Sequence, residues 1–183
     1  MTSYTLSRPR KRALEPQEIL SLLGVDAVVL PIKPGTKAPS RKGWQKTTFL
    51  ESQKPGYQAS LANSPAIGLL LGDPSAGLCS IDLDTEEALD EFLDANPLLT
   101  ESLRTKGKRG ANIWVIIEGS IPKSHNLKCG DRPLGEWRAN GRQTVIAGKH
   151  PDGLEYSRLV DEPPMRVRYL EIVWPWEQEE LST

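Results

Sequence analysis

Apolar residues fall in short blocks along this chain, and their spacing differs from block to block. "PQEILSLLG" (16–24) has helical spacing, with Pro16 at a first helical position and Gly24 as a stop. "DAVVLPI" (26–32) predicts a short strand, and "KPGTKAPSRKGW" (33–44) predicts a loop. Helical turns are predicted at 48–52 and 58–63, broken at Pro55-Gly56. "AIGLLLG" (66–72) and "LCSIDLD" (78–84) read as buried strands around the turn "GDPSAG" (72–77). "TEEALDEFLDAN" (85–96) is a helix ended by Pro97. "ANIWVIIEG" (111–119) is the clearest later strand. "GEWRA" (135–139), "RQTVIAG" (142–148) and "LEYSRLV" (154–160) are shorter strands, separated at Asn140-Gly141 and "HPDG". "YLEIVWPWEQEE" (169–180) fits no single element, and Pro175 ends any that forms. Mixed strands with few helices favour α+β or α/β.

One block breaks the pattern. Leu78-Cys79-Ser80-Ile81 runs directly into Asp82-Leu83-Asp84. Residues i and i+2 of a strand share a face, so Asp82 and Asp84 lie together, about 6.6 Å apart at about 3.3 Å per residue. Cys79, Ile81 and Leu83 then face the core. Two carboxylates so placed can converge on hard cations, as in-line phosphoryl displacement requires. Without a metal or a basic neighbour they would repel. The structural alternative is a capping box, with Asp84 capping the helix and Glu87 reaching back. It leaves Asp82 unexplained.

Composition narrows the class. The 183 residues suffice for one domain with a real core. Two distant cysteines, Cys79 and Cys129, fit a reducing, cytoplasmic setting without disulfides. No apolar run spans a membrane, and the N-terminus has no signal-peptide core. The net charge of −1 gives no global argument for nucleic-acid binding. Locally, "RPRKR" (8–12), "KPGTKAPSRKGWQK" (33–46) and "RTKGKRG" (104–110) are basic, whereas 82–101 and "EQEE" are acidic. Basic loops near paired carboxylates suit an anionic substrate held through a metal.

Further along, Glu136 and Arg138 share a strand face opposite Trp137. Glu136 can complete a three-carboxylate site with Arg138 beside it; the alternative is an exposed ion pair worth little. Lys149 and His150 sit at a turn mouth. In "RTKGKRGAN" (104–112), Lys106, Lys108 and Arg109 stand among Gly107 and Gly110, where backbone N–H groups can approach phosphate. It is not a Walker loop, and a solvated basic turn explains it equally well. His125, placed in a polar loop, Cys129, Cys79 and His150 lack paired zinc-ligand spacing.

The order of these pieces resembles the N-terminal primase-polymerase domain of the archaeo-eukaryotic primase superfamily, found in plasmid and phage replication proteins. "SAGLCSIDLD" and "RQTVIAGKHPDGLEY" carry the resemblance, with weaker support from "KPGTKAPSRKGW"; it covers about residues 24 to 160. It implies an α+β fold: an RRM-like catalytic core of mixed or antiparallel strands (76–175) and an additional N-terminal α/β lobe (15–75). A flexible basic arm (1–14) and an acidic tail (176–183) would flank them. Asp82, Asp84 and Glu136 would bind Mg²⁺ or Mn²⁺. Lys108, Arg109, Asn112, Lys149 and His150 would contact the nucleotide. Lys37, Lys106, Arg138 and Arg142 would contact phosphate or DNA.

The implied activity is template-dependent nucleotidyl transfer from dNTP or NTP onto a DNA template or primer, without membrane association and with a helicase in the same or a neighbouring chain. One departure is Asn112, which stands where the family usually has a His; it donates a hydrogen bond but carries no charge. The competing readings are a catalytically weak nucleic-acid-binding module and a metal-dependent nuclease.

Overall fold

The computed structural model describes residues 15–176; the basic arm and, after Trp176, the acidic tail lie outside the described residues. Helix α1 (Pro16–Leu23) starts at Pro16 and stops at Gly24 in the left-handed conformation. Strand β1 (Val29–Pro31) follows. Helix α2 (Phe49–Ser52) is capped by the Thr48 hydroxyl, and α3 (Pro55–Ala62) comes next. Pro55-Gly56, expected to break a helix, opens one: Pro55 stands at a first-turn position, where its missing N–H has no helical partner to lose.

Strands β2 (Ala66–Leu70) and β3 (Leu78–Leu83) lead into α4 (Glu86–Ala95). The rest is mainly strand: β4 (Arg104–Lys106), β5 (Ala111–Ile117), β6 (His125–Cys129), β7 (Arg132–Arg138), β8 (Gln143–Gly148), β9 (Ser157–Val160) and β10 (Met165–Val167). The fold is therefore α+β. His125 lies on β6 rather than in a polar loop, because Asn126 and Leu127 pair with Glu136 and Gly135 of β7. The basic turn after Lys106 closes the β4–β5 hairpin.

Two sheets form. The smaller, in the order β1-β2-β8, is antiparallel, so a strand from the second half of the chain completes the sheet begun by the first. The larger runs β6-β7-β3-β5-β4-β9, with β10 added parallel to β5. Strand β3 is central, antiparallel to β7 on one side and β5 on the other.

The two-residue period of β3 separates core from site. Cys79, Ile81 and Leu83 are fully buried against Ala88, Leu89 and Phe92 of α4, with Trp137 in the same cluster. The other face changes character along its length. Leu78 joins a second core with Ile19, Tyr57, Leu69, Trp114 and Ile146. Ser80 is buried but polar, and Asp82 is half-buried. The Ser80 hydroxyl lies 3.0 Å from that of Thr144 on β8, and Trp114 donates to the Thr105 hydroxyl at 2.8 Å. These bonds satisfy polar groups at the end of the second core, and a cleft begins beyond them.

Candidate active site

The cleft has a volume of about 600 Å³, and Asp82, Asp84, Asn112 and Arg138 are among its lining residues. Its floor is the end of β3. Asp82 pairs across the sheet with Glu136 of β7 on one side and Asn112 of β5 on the other. Directly opposed residues of neighbouring strands point to the same face, so the third acid is brought beside the first by register. Asp84 lies one residue beyond the last strand residue, its N–H bonded to the Leu134 carbonyl at 2.9 Å, and it lines the same cleft.

Asp84 does not cap α4. Thr85 does, its hydroxyl accepting the Ala88 N–H at 3.1 Å. The capping-box alternative fails because the chain stays extended one residue longer than it requires, leaving Asp84 exposed at the cleft.

Two glycines hold this strand end from either side. Gly135, at φ +146°, lies so near that a Cβ would overlap the Asp82 carbonyl oxygen. Gly110, at φ +57°, would overlap the Leu83 carbonyl in the same way. Gly110, expected to open backbone N–H groups to phosphate, instead lets the β4–β5 turn pack on the Leu83–Asp84 backbone. Gly107 lines the cleft beside His150 and Tyr156.

Arg138 joins the acids. Its Nη2 lies 2.7 Å from Asp82 Oδ2, and its Nε donates to Glu136 Oε2 at 2.6 Å. The anticipated Glu136–Arg138 pair therefore exists, half-buried and shared with Asp82; Glu136 itself is not among the residues lining the cleft. Among the described residues, no group of three His, Cys, Asp or Glu is placed to hold one metal ion; the Arg138 guanidinium stands between two of the acids. Burial is the main cause that lifts the Asp82 carboxyl above its usual range. Arg138 and Lys37 oppose the rise, whereas Asp84 and Glu136 add to it.

In donor chemistry Asp82 and Asp84, which line the cleft, and Glu136, opposite Asp82 on the next strand, offer the carboxylate oxygens that a hard divalent cation takes. Seating a cation between Asp82 and Glu136 requires the guanidinium to move aside.

The rim is cationic. Lys37, Lys108 and Arg109 line the cleft, together with His150. His150 is buried, its Nδ1 accepting the Asp152 N–H at 3.1 Å and its ring 5.5 Å from that of Tyr156. That bond leaves the ring proton on Nε2 in the neutral tautomer. Desolvation first, then the Lys37 charge, depresses the His150 pKa; Asp152 acts the other way. Lys108 pairs with Asp152 at 2.9 Å, tying the β4–β5 turn to the turn after β8. Tyr156 is pushed up to about 12, chiefly by burial and then by the nearby Asp82 charge.

Three expected contacts lie elsewhere. Lys106 pairs with Glu86 of α4. Arg142 is exposed in the turn before β8. Lys149 is exposed and bridges Glu155 in backbone pairing, opposite in alternation to the buried His150. Thr144, Tyr156 and Asp152 line the cleft without having been singled out. Only Thr144 left a sequence signal, as a polar residue within the apolar run "TVIA".

A search of curated proteins found no match. The family model described as "Bifunctional DNA primase/polymerase, N-terminal" matches residues 20–169, a span that contains β1 to β10 and every cleft residue named above. The chain belongs to the bifunctional DNA primase/polymerase N-terminal family.

Proposed function

We propose that this domain is a template-dependent nucleotidyltransferase that starts or extends DNA strands. The observation that carries it is the register of β3 and β7: Asp82 opposes Glu136, with Asp84 in the same cleft and cations around the rim. Divalent metal, Mg²⁺ or Mn²⁺, would supply Lewis-acid charge to the triphosphate and lower the pKa of a primer 3′-hydroxyl. Asp82, Asp84 and Glu136 would hold it.

The chain's own residues do the rest. Arg138, released from the acids, would meet the phosphates, and Lys37, Lys108 and Arg109 would surround them. His150 donates from Nε2 as a neutral ring, and the Asn112 amide donates without charge, so both position the nucleotide more than they neutralise it. The half-buried floor strengthens each of these interactions relative to water.

Primer extension with Mn²⁺ and dNTPs tests this reading. Extension by the wild type and its loss in Asp82→Ala plus Asp84→Ala are expected; extension that survives the double substitution overturns the assignment. Asn112 favours a second reading, a module that binds DNA or nucleotide without forming phosphodiester bonds. In that case extension is absent from the wild type. Shortened strands would instead indicate a nuclease.

A further inference from the structure

Residues 27–72 carry six cations, Lys33, Lys37, Arg41, Lys42, Lys46 and Lys54, against a single acid, Glu51, in a chain of net charge −1. All six are exposed. Glu51 is taken by Arg41 at 3.2 Å, and the Arg41 guanidinium lies 4.6 Å over the Tyr57 ring. Among the described residues, Lys33, Lys42, Lys46 and Lys54 make no ion pair.

These cations are positioned by fold. Lys37 lines the cleft, and its carbonyl is held by the Gln143 side chain at 2.8 Å. Arg41 and Lys54 line a shallow groove of about 290 Å³ with Gly56 and Tyr57. Lys42 follows Arg41, and Lys46 ends the short helical turn Trp44–Lys46. The chain therefore leads from Lys37 at the cleft, four residues on, to Arg41 at the groove that Lys54 shares. Leu50 of the same segment is 79% exposed.

The chain just beyond Asp84 is acidic. Helix α4 begins two residues after Asp84 and carries Glu86, Glu87, Asp90, Glu91 and Asp94. Only part of that charge is met, by Lys106 and Arg132. Phosphates near the start of α4 meet repulsion, whereas phosphates passing Lys37 toward Lys42, Lys46 and Lys54 meet ammonium groups that, among the described residues, make no ion pair.

We infer that the 33–54 segment is the track for the phosphate backbone of single-stranded template DNA, leading from the cleft past Lys37 to Lys42, Lys46 and Lys54. The direction of the track rests on the cleft being the nucleotidyl-transfer site; the surface itself rests on its own charge and exposure.

The test measures anisotropy of a fluorescein-labelled single-stranded oligonucleotide over a salt series. In Lys42→Ala/Lys46→Ala/Lys54→Ala, the slope of log K against log salt should flatten by about 2, at about 0.7 per phosphate contact. At about 0.1 M salt this corresponds to roughly a hundredfold weaker binding. The triple Lys→Arg variant should retain wild-type affinity. Calorimetric binding of a dNTP with Mn²⁺ should be unchanged in both, which also reports that the variants are folded. Unchanged DNA affinity and slope in the alanine variant overturn the track, as does a loss that arginine does not restore. If the wild type shows no primer extension while the alanine variant still loses DNA binding, the polymerase reading falls and the surface assignment stands.

Discussion

Arg138→Met isolates the electrostatics of the cleft. The substitution keeps much of the aliphatic stem and removes the guanidinium that touches Asp82 at 2.7 Å and Glu136 at 2.6 Å. The carboxylates then face each other across adjacent strands with no cation between them. Breaking a buried pair by deleting one partner costs about 3–5 kcal/mol. Here the side chains are 27%, 21% and 33% exposed, so water recovers part of the loss and about 2 kcal/mol is expected. For a domain of this size that lowers Tm by about 4–8 °C.

The sign with pH follows from Asp82. Its carboxyl lies above the unfolded value, so the folded state holds that proton more tightly. The associated stability is present at low pH and is lost as pH rises through the folded pKa. Removing Arg138, the main opposing charge, raises that pKa further. The deficit relative to wild type should therefore be smallest at acid pH, where Asp82 is protonated in both proteins, and grow toward neutrality. Mn²⁺ should stabilise the variant more than the wild type, because no guanidinium competes for the acids. Differential scanning fluorimetry across pH, with and without Mn²⁺, measures both effects. A deficit independent of pH, or a smaller Mn²⁺ shift in the variant, would refute this account.

Gly110→Ala should destabilise the domain by about 2 kcal/mol or more in urea unfolding, since its Cβ overlaps the Leu83 carbonyl at a positive φ. Thr85→Ala should cost about 1 kcal/mol through loss of the α4 cap. Asp84→Asn should leave stability within about 0.5 kcal/mol while abolishing extension, a split that separates cap from site in paired unfolding and activity measurements. His150 has a depressed pKa, so its contribution is full above the unfolded value and is lost as pH falls below it toward the folded value. Asp152, Lys37 and Lys108 share its surroundings. His150→Gln should flatten the acid side of the stability profile from about pH 6.5 downward in urea titrations.

The amino-acid order alone determined that Asp82 departs from the core side of its strand, because alternation is local. Cys79, Ile81 and Leu83 had to face one way and Asp82 the other. The start of α1 at Pro16 and its stop at Gly24 were legible for the same reason. Short strands were harder. β4, β6 and β10 form because a neighbour supplies hydrogen bonds, and "RTK", "HNLKC" and "MRV" carry little apolar signal of their own.

Tertiary structure decided the rest of the site. Glu136 lies 54 residues beyond Asp82 in the chain, and only the β3–β7 register places them side by side, with Gly135 allowing the close approach. Alternation at the turn after β8 sent His150 inward and Lys149 outward, and an acid on α4 drew Lys106 away from the cleft. The position of a charge depends on which opposite charge the fold brings near it. That partner lies far off along the chain, where no local pattern reaches.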